Sequence, residues 1–154
     1  MKFGGTSMAG TERIRRVANI VRKQQARGHE VAVVVSAMAK TTDQLMSMAL
    51  QVTQHPQARE LDILLTTGEQ VSIALLAMAV HNLGAKAIAL TGAQCGIVTD
   101  GNFARARIQN IETDKLNRLL DEKNIVIVAG YQGITTDHEI TTLGRGGSDT
   151  TATA

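Results

Sequence analysis

The run Val31-Ala32-Val33-Val34-Val35 constrains this chain more than any other feature. Branching at Cβ suits the extended backbone, so four valines in five residues read as a strand. The run does not alternate with polar residues, which marks a strand covered on both faces in a parallel sheet. A second strand is expected at Ile125-Val126-Ile127-Val128-Ala129. Parallel neighbours need long crossover connections, and helical periodicity occupies much of the sequence between these runs.

Ile14, Val17, Ala18 and Val21 make one apolar helix face, with Thr11 as the expected N-cap and Gly28 at the expected glycine stop. Most of the cations around it (Arg13, Arg15, Arg16, Arg22, Lys23, Arg27) fall on the opposite, solvated face. A second helix is expected from residues 41–43 to about Thr53, with Pro56 breaking it. Residues 59–83 read as a long helical region interrupted near Gly68, and its second half, 71–80, is apolar almost all round and expected to be buried. Short strands are expected at 87–90, 96–99 and 106–111, and a helix at 114–122. Beyond Thr135 the chain reads as a loop or hairpin, then a glycine-rich turn opening a helix. Strands separated by helices predict an α/β layer fold with a mostly parallel sheet. Ligands in such folds bind at the carboxyl ends of the strands.

Composition narrows the partners. The 154 residues are 44% hydrophobic and 19% charged, which suits a packed core and not wholesale disorder. Sixteen Lys and Arg against 14 Asp and Glu leave a net charge of +2, and Phe3, Phe103 and Tyr131 offer little aromatic surface for stacking bases. No nucleic-acid partner is expected. The single Cys95 excludes an internal disulfide and cysteine-rich zinc sites, and His29, His55, His81 and His138 are scattered, so no metal ligands are expected. The longest apolar runs, 31–39 and 71–80, fall short of the roughly 18–20 residues of a membrane helix, and no signal peptide is read before Gly4. A soluble cytoplasmic protein with no membrane partner is the expectation.

Four loops carry possible chemistry. In Lys2-Phe3-Gly4-Gly5-Thr6-Ser7, adjacent glycines let backbone approach an anion beside a cation and a helix N-terminus, although a plain flexible turn has the same composition. Ser36-Ala37-Met38 with Thr41-Thr42-Asp43 offers hydroxyls that cap the next helix or bind a substrate. In Thr66-Thr67-Gly68-Glu69-Gln70, Glu69 either complements a helix N-terminus or reaches inward. Thr141-Thr142-Leu143-Gly144-Arg145-Gly146-Gly147-Ser148-Asp149 sets an Arg among glycines before a Ser-Asp pair. Arg grips carboxylates with two parallel hydrogen bonds, and this loop reads as functional.

With Val-Ala-Gly-Tyr-Gln-Gly at residues 128–133, these motifs in this order resemble the aspartate kinases (aspartokinases) of the amino-acid kinase superfamily, over essentially the whole of residues 2–154. The resemblance implies a three-layer α/β sandwich with a mostly parallel central sheet, incomplete at both ends. Residues 1–154 would be a partial kinase domain holding the aspartate-binding part, with the ATP-binding remainder and ACT regulatory domains absent. It implies phosphoryl transfer from ATP to the side-chain carboxylate of L-aspartate, the first step toward lysine, threonine and methionine. Magnesium would arrive with the nucleotide, and the full-length parent would be a homo-oligomer. Carried over by position, Lys2 would touch the transferring phosphate, held by Asp149. Phe3, Gly4, Gly5, Gly146 and Gly147 would surround the ATP phosphates. Arg145 would take the α-carboxylate of aspartate and Glu69 its ammonium, while Ser36, Thr42 and Ser148 add hydrogen bonds. The competing expectation is a non-catalytic amino-acid-binding or interface fragment, inactive alone.

Overall fold

The computed structural model describes residues 1–144 and 146–154. Its centre is a four-stranded, all-parallel sheet in the order β1-β2-β6-β3, built from β1 (Lys2–Phe3), β2 (Ala32–Val35), β6 (Ile125–Ala129) and β3 (Ala87–Leu90). All five residues of β6 are buried, as a strand paired on both edges and covered on both faces requires. In β2 only Val33 and Val35 are fully buried, while Ala32 and Val34 stay partly open.

Helices α1 (Thr11–Ala26) and α3 (Ala58–His81) cover one face of this sheet. Ile14, Val17, Ala18 and Val21 of α1 and Ile73, Leu76 and Val80 of α3 meet Val33, Val35 and Ile127 there. Helix α4 (Asp114–Asp121) closes part of the other face, with Leu119 against Val126 and Val128. The three-layer arrangement follows from one physical need: each amphipathic helix has a single apolar stripe to bury.

A second four-stranded sheet, which sequence reasoning did not anticipate, has the order β5-β4-β7-β8. It comprises β4 (Ile97–Thr99), β5 (Ile108–Ile111), β7 (Gln132–Ile134) and β8 (Ile140–Thr142). Two of its pairings are antiparallel and the β4–β7 pairing is parallel. Strands β4 and β5 fall within the short strands expected at 96–99 and 106–111, whereas β7 and β8, each three residues long and carrying Gln, Gly and Thr, have no apolar period to announce them.

Three further expectations need correction. Thr11 is the first helical residue of α1 and not its cap; Gly10 holds the cap position with φ +96°, and Gly28 follows the helix with φ +89°. Helix α3 runs unbroken through Gly68, which is buried, and a Cβ there would stand 3.0 Å from the Ala37 Cβ. A mid-helix glycine costs about 1 kcal/mol relative to alanine. Here it allows α3 to approach the loop after β2. The second half of α3 is not buried all round either: Val71 and Met78 are exposed. At 24 residues and mean hydropathy 1.7, α3 meets the length and composition of a membrane span, beyond the runs read from sequence. In the fold it is a core helix, and it buries Asp62 and Glu69.

Helix α2 (Thr41–Val52) packs on α3, and α5 (Gly147–Thr153) packs against β1, β2 and β7.

Candidate active site

Register places the site. Phe3 pairs with Val35, and Val35 with Ala129, so β1, β2 and β6 end level with one another. Their following loops therefore open on one edge, the carboxyl edge where parallel sheets present ligand sites. An open cleft of about 640 Å³ lies there. Lys2, Ser36, Thr42, Glu69, Gly146, Gly147, Ser148 and Asp149 line it, eight residues drawn from separated segments. Among the described residues Asp43, Ala104, Tyr131 and Gly144 also line it.

Lys2 Nζ stands 2.9 Å from Asp149 Oδ1, joining the first strand to the first turn of α5. The Asp149 side chain is 71% exposed, so the pair adds little stability. Its consequence is orientation of the Lys2 ammonium. A Cβ on Gly4 would lie 3.4 Å from Lys2 Nζ, and one on Gly5 only 3.0 Å from the Ala37 carbonyl oxygen. The glycine pair thus keeps the turn close to both the cation and the Ser36 loop. Phe3, Gly4 and Gly5 are not among the residues facing the cleft; the Phe3 side chain packs on the core instead. Arg145 lies outside the described residues.

Glu69 is the most constrained charge in the cleft. Only 3% of it is exposed. The Ala37 backbone N–H donates to Oε1 at 3.1 Å, while Oε2 is buried without a hydrogen-bond partner among the described residues. Burial pushes its pKa up to about 7, against the opposing pull of the Ala37 N–H. A buried unmatched carboxylate oxygen is costly in an isolated protein and is what a cationic ligand group relieves. Glu69 is not at a helix N-terminus: it lies near the middle of α3, so it reaches inward.

Tyr131 went unassigned in the sequence reading, although its motif was noted. Its φ is +71°, a left-handed conformation that non-glycine residues hold only under constraint. The Tyr131 carbonyl accepts from Leu143 N–H at 2.9 Å, and its own N–H donates to Thr151 Oγ1 at 3.3 Å. Burial raises the phenol pKa. Ala104 had no sequence signal at all, since residues 100–107 form no motif.

With this geometry in view, known proteins are informative. The sequence matches the family described as the amino acid kinase family over residues 1–154. The chain belongs to the amino acid kinase family. It is 60% identical to the aspartokinase of Geobacillus stearothermophilus and 53% identical to aspartokinase 2 of Bacillus subtilis, each over 99% of this chain and 38% of the relative. The chain therefore spans well under half the length of these family members. Among solved structures it resembles aspartate kinase from Synechocystis, with TM-score 0.82 and 51% identity over 98% of this chain and 25% of that one. Escherichia coli aspartokinase III, solved with aspartate and ADP, shares the fold at TM-score 0.82 and 24% identity, over 96% of this chain and 44% of that one.

Proposed function

We propose that this chain forms the amino-acid-binding part of an aspartate kinase, which moves the γ-phosphoryl group of ATP to the side-chain carboxylate of L-aspartate. Glu69 carries the reading: a buried carboxylate with one oxygen unmatched among the described residues, in a cleft that also presents an ammonium. The α-ammonium of an amino acid supplies the missing donor and favours the ionised form of Glu69. Arg145 is assigned to the α-carboxylate on its sequence context alone. Ser36, Thr42 and Ser148 line the same cleft and add neutral hydrogen bonds.

The chemistry needs no general base, because a carboxylate with pKa near 4 is already ionised at neutral pH. One side-chain oxygen of aspartate attacks the γ-phosphorus, the bond to the β–γ bridging oxygen breaks, and ADP leaves with that electron pair. The product is 4-phospho-L-aspartate. The barrier lies in aligning two anions, which positive charge and positioning lower. Lys2, oriented by Asp149, is assigned to the transferring phosphate. The backbone at Gly4, Gly5, Gly146 and Gly147 is assigned to the ATP phosphates. Magnesium is assigned to the nucleotide, whose phosphates would carry it into the site.

The further nucleotide-binding segments and ACT regulatory domains are assigned to the part of the relatives' length that this chain does not span. That coverage also favours a second reading, in which these 154 residues bind aspartate without turnover. In either case the parent is taken as a cytoplasmic homo-oligomer feeding lysine, threonine and methionine synthesis. Calorimetry with aspartate tests the site. Heat of binding in the wild type that weakens at least tenfold in Glu69→Gln is the expected result. Absence of binding, or an undiminished variant, removes the assignment. Hydroxylamine trapping with ATP then separates the readings, since hydroxamate forms only if the chain turns over.

A further inference from the structure

Tyr131 lines the cleft, and the proposed reaction gives it no task. Its φ of +71° is a backbone state that glycine holds freely and a residue with a Cβ does not. What tyrosine adds there over glycine is its ring, so the reason for the strain is to be sought in what the ring touches.

Both polar backbone groups of Tyr131 are tied to the glycine-rich segment 143–151. The Tyr131 carbonyl accepts from Leu143 N–H at 2.9 Å, where that segment begins. The Tyr131 N–H donates to Thr151 Oγ1 at 3.3 Å, and the Thr151 hydroxyl donates in turn to the Gly147 carbonyl at 2.8 Å. Thr151 is buried, so this relay is shielded from water. Gly147 lies flat on the tyrosine: a Cβ there would stand 3.0 Å from Tyr131 Cδ2, 3.2 Å from Tyr131 Cα and 2.7 Å from Leu143 Cβ. Tyr131 thus meets the segment at its start, its middle and its end.

That segment holds much of the proposed machinery. Ser148 and Asp149 directly follow Gly147, and Asp149 Oδ1 stands 2.9 Å from Lys2 Nζ. Arg145 belongs to the same stretch of sequence. Glu69, assigned to the ammonium, comes from α3. How the segment lies against the rest of the cleft is decided by what it rests on.

We infer that Tyr131 is a positioning residue for the proposed reaction: its ring seats Gly147 and the first turn of α5, and so aims Ser148 and Asp149 into the cleft. This rests on the proposed amino-acid site. The seat is made by the ring and not by the phenol hydroxyl, so phenylalanine serves as well.

Calorimetry with aspartate on three variants tests the role. Tyr131→Phe keeps the ring and should bind within twofold of the wild type. Tyr131→Ala removes the ring and should bind at least tenfold more weakly. Tyr131→Gly also removes the ring but relieves the strain, so it should melt above Tyr131→Ala and still bind no better. A residue that served stability alone would regain affinity together with melting temperature. Unweakened binding in Tyr131→Ala, equal weakening in Tyr131→Phe, or recovery in Tyr131→Gly overturns the inference. If the ringless variants do not fold, the wild type carries the test. Tyr131 is the single tyrosine of a chain without tryptophan, so tyrosine emission reads this ring alone. Saturating aspartate should lower its quenching by acrylamide at least twofold, because the loaded segment covers the ring; unchanged quenching in protein that binds aspartate overturns the inference. A wild type that binds no aspartate removes the proposed function and this role with it, whereas wild-type binding with Tyr131→Ala unweakened removes only the role of Tyr131.

Discussion

Glu69 concentrates the conflict between stability and function in one side chain. Folding moves its pKa from 4.5 to about 7, so the folded state favours the protonated form. The contribution of Glu69 to the stability of the free protein is therefore greatest below pH 4.5 and is lost as pH rises through 7, by on the order of 3 kcal/mol once the ionised form dominates. Glu69→Gln should accordingly melt higher than the wild type at pH 8, with the difference shrinking at pH 5; equal melting at pH 8 would count against a buried, unmatched carboxylate. Ligand binding has the opposite sign, because an ammonium needs the ionised oxygen. Aspartate affinity should weaken about tenfold between pH 8 and pH 6, where the ionised fraction drops by a similar factor. A flat affinity profile over that range would place the ammonium elsewhere. Lys2 and Glu69 were legible in the sequence as charges beside glycine or at the head of an apolar run. Ala104 and Tyr131 were not, because an ordinary residue in a left-handed conformation carries no mark in the sequence.

Elements position these side chains through close approaches at glycine. Gly130 directly follows β6, and a Cβ there would meet Ser148 Oγ at 2.7 Å and Ser148 Cα at 3.0 Å. Helix α5 can lie across the strand end only because that space is free. Gly130→Ala should displace α5, cost about 1–3 kcal/mol through overpacking, and weaken aspartate binding by moving Ser148 and Asp149. Gly101→Ala is the matched control, since nothing lies within 4 Å of a Cβ there. Thermal melts and calorimetry on the two variants decide this; equal behaviour would mean that α5 does not seat the site. Pattern alone placed α1, α2, α4 and β6 to within a few residues, because each has a clear apolar period or run. It broke α3 at Gly68 because the helix penalty of glycine is visible in a sequence, while the neighbouring Ala37 that requires it is not.

At the scale of the molecule, α3 joins the two sheets. Ile73, Leu76 and Val80 pack under the parallel sheet, while Asp62 and Thr66 are hydrogen-bonded to Thr142 of β8 and Gln132 of β7. Separating the sheets would strand a buried carboxylate, which costs several kcal/mol. The chain should therefore unfold in one transition, with calorimetric and van't Hoff enthalpies in agreement; two resolved transitions would show the sheets to be independent. The sequence by itself determined the α/β class, the central strands and the family, because hydrophobic period and motif order are local properties of the chain. Only the tertiary structure decided that a second, mixed sheet forms, that β1, β2 and β6 end level, and that Asp62 and Glu69 face into one buried polar stripe. Those outcomes depend on register and on contacts between residues as many as 94 positions apart, such as Val35 and Ala129, and no local pattern encodes them.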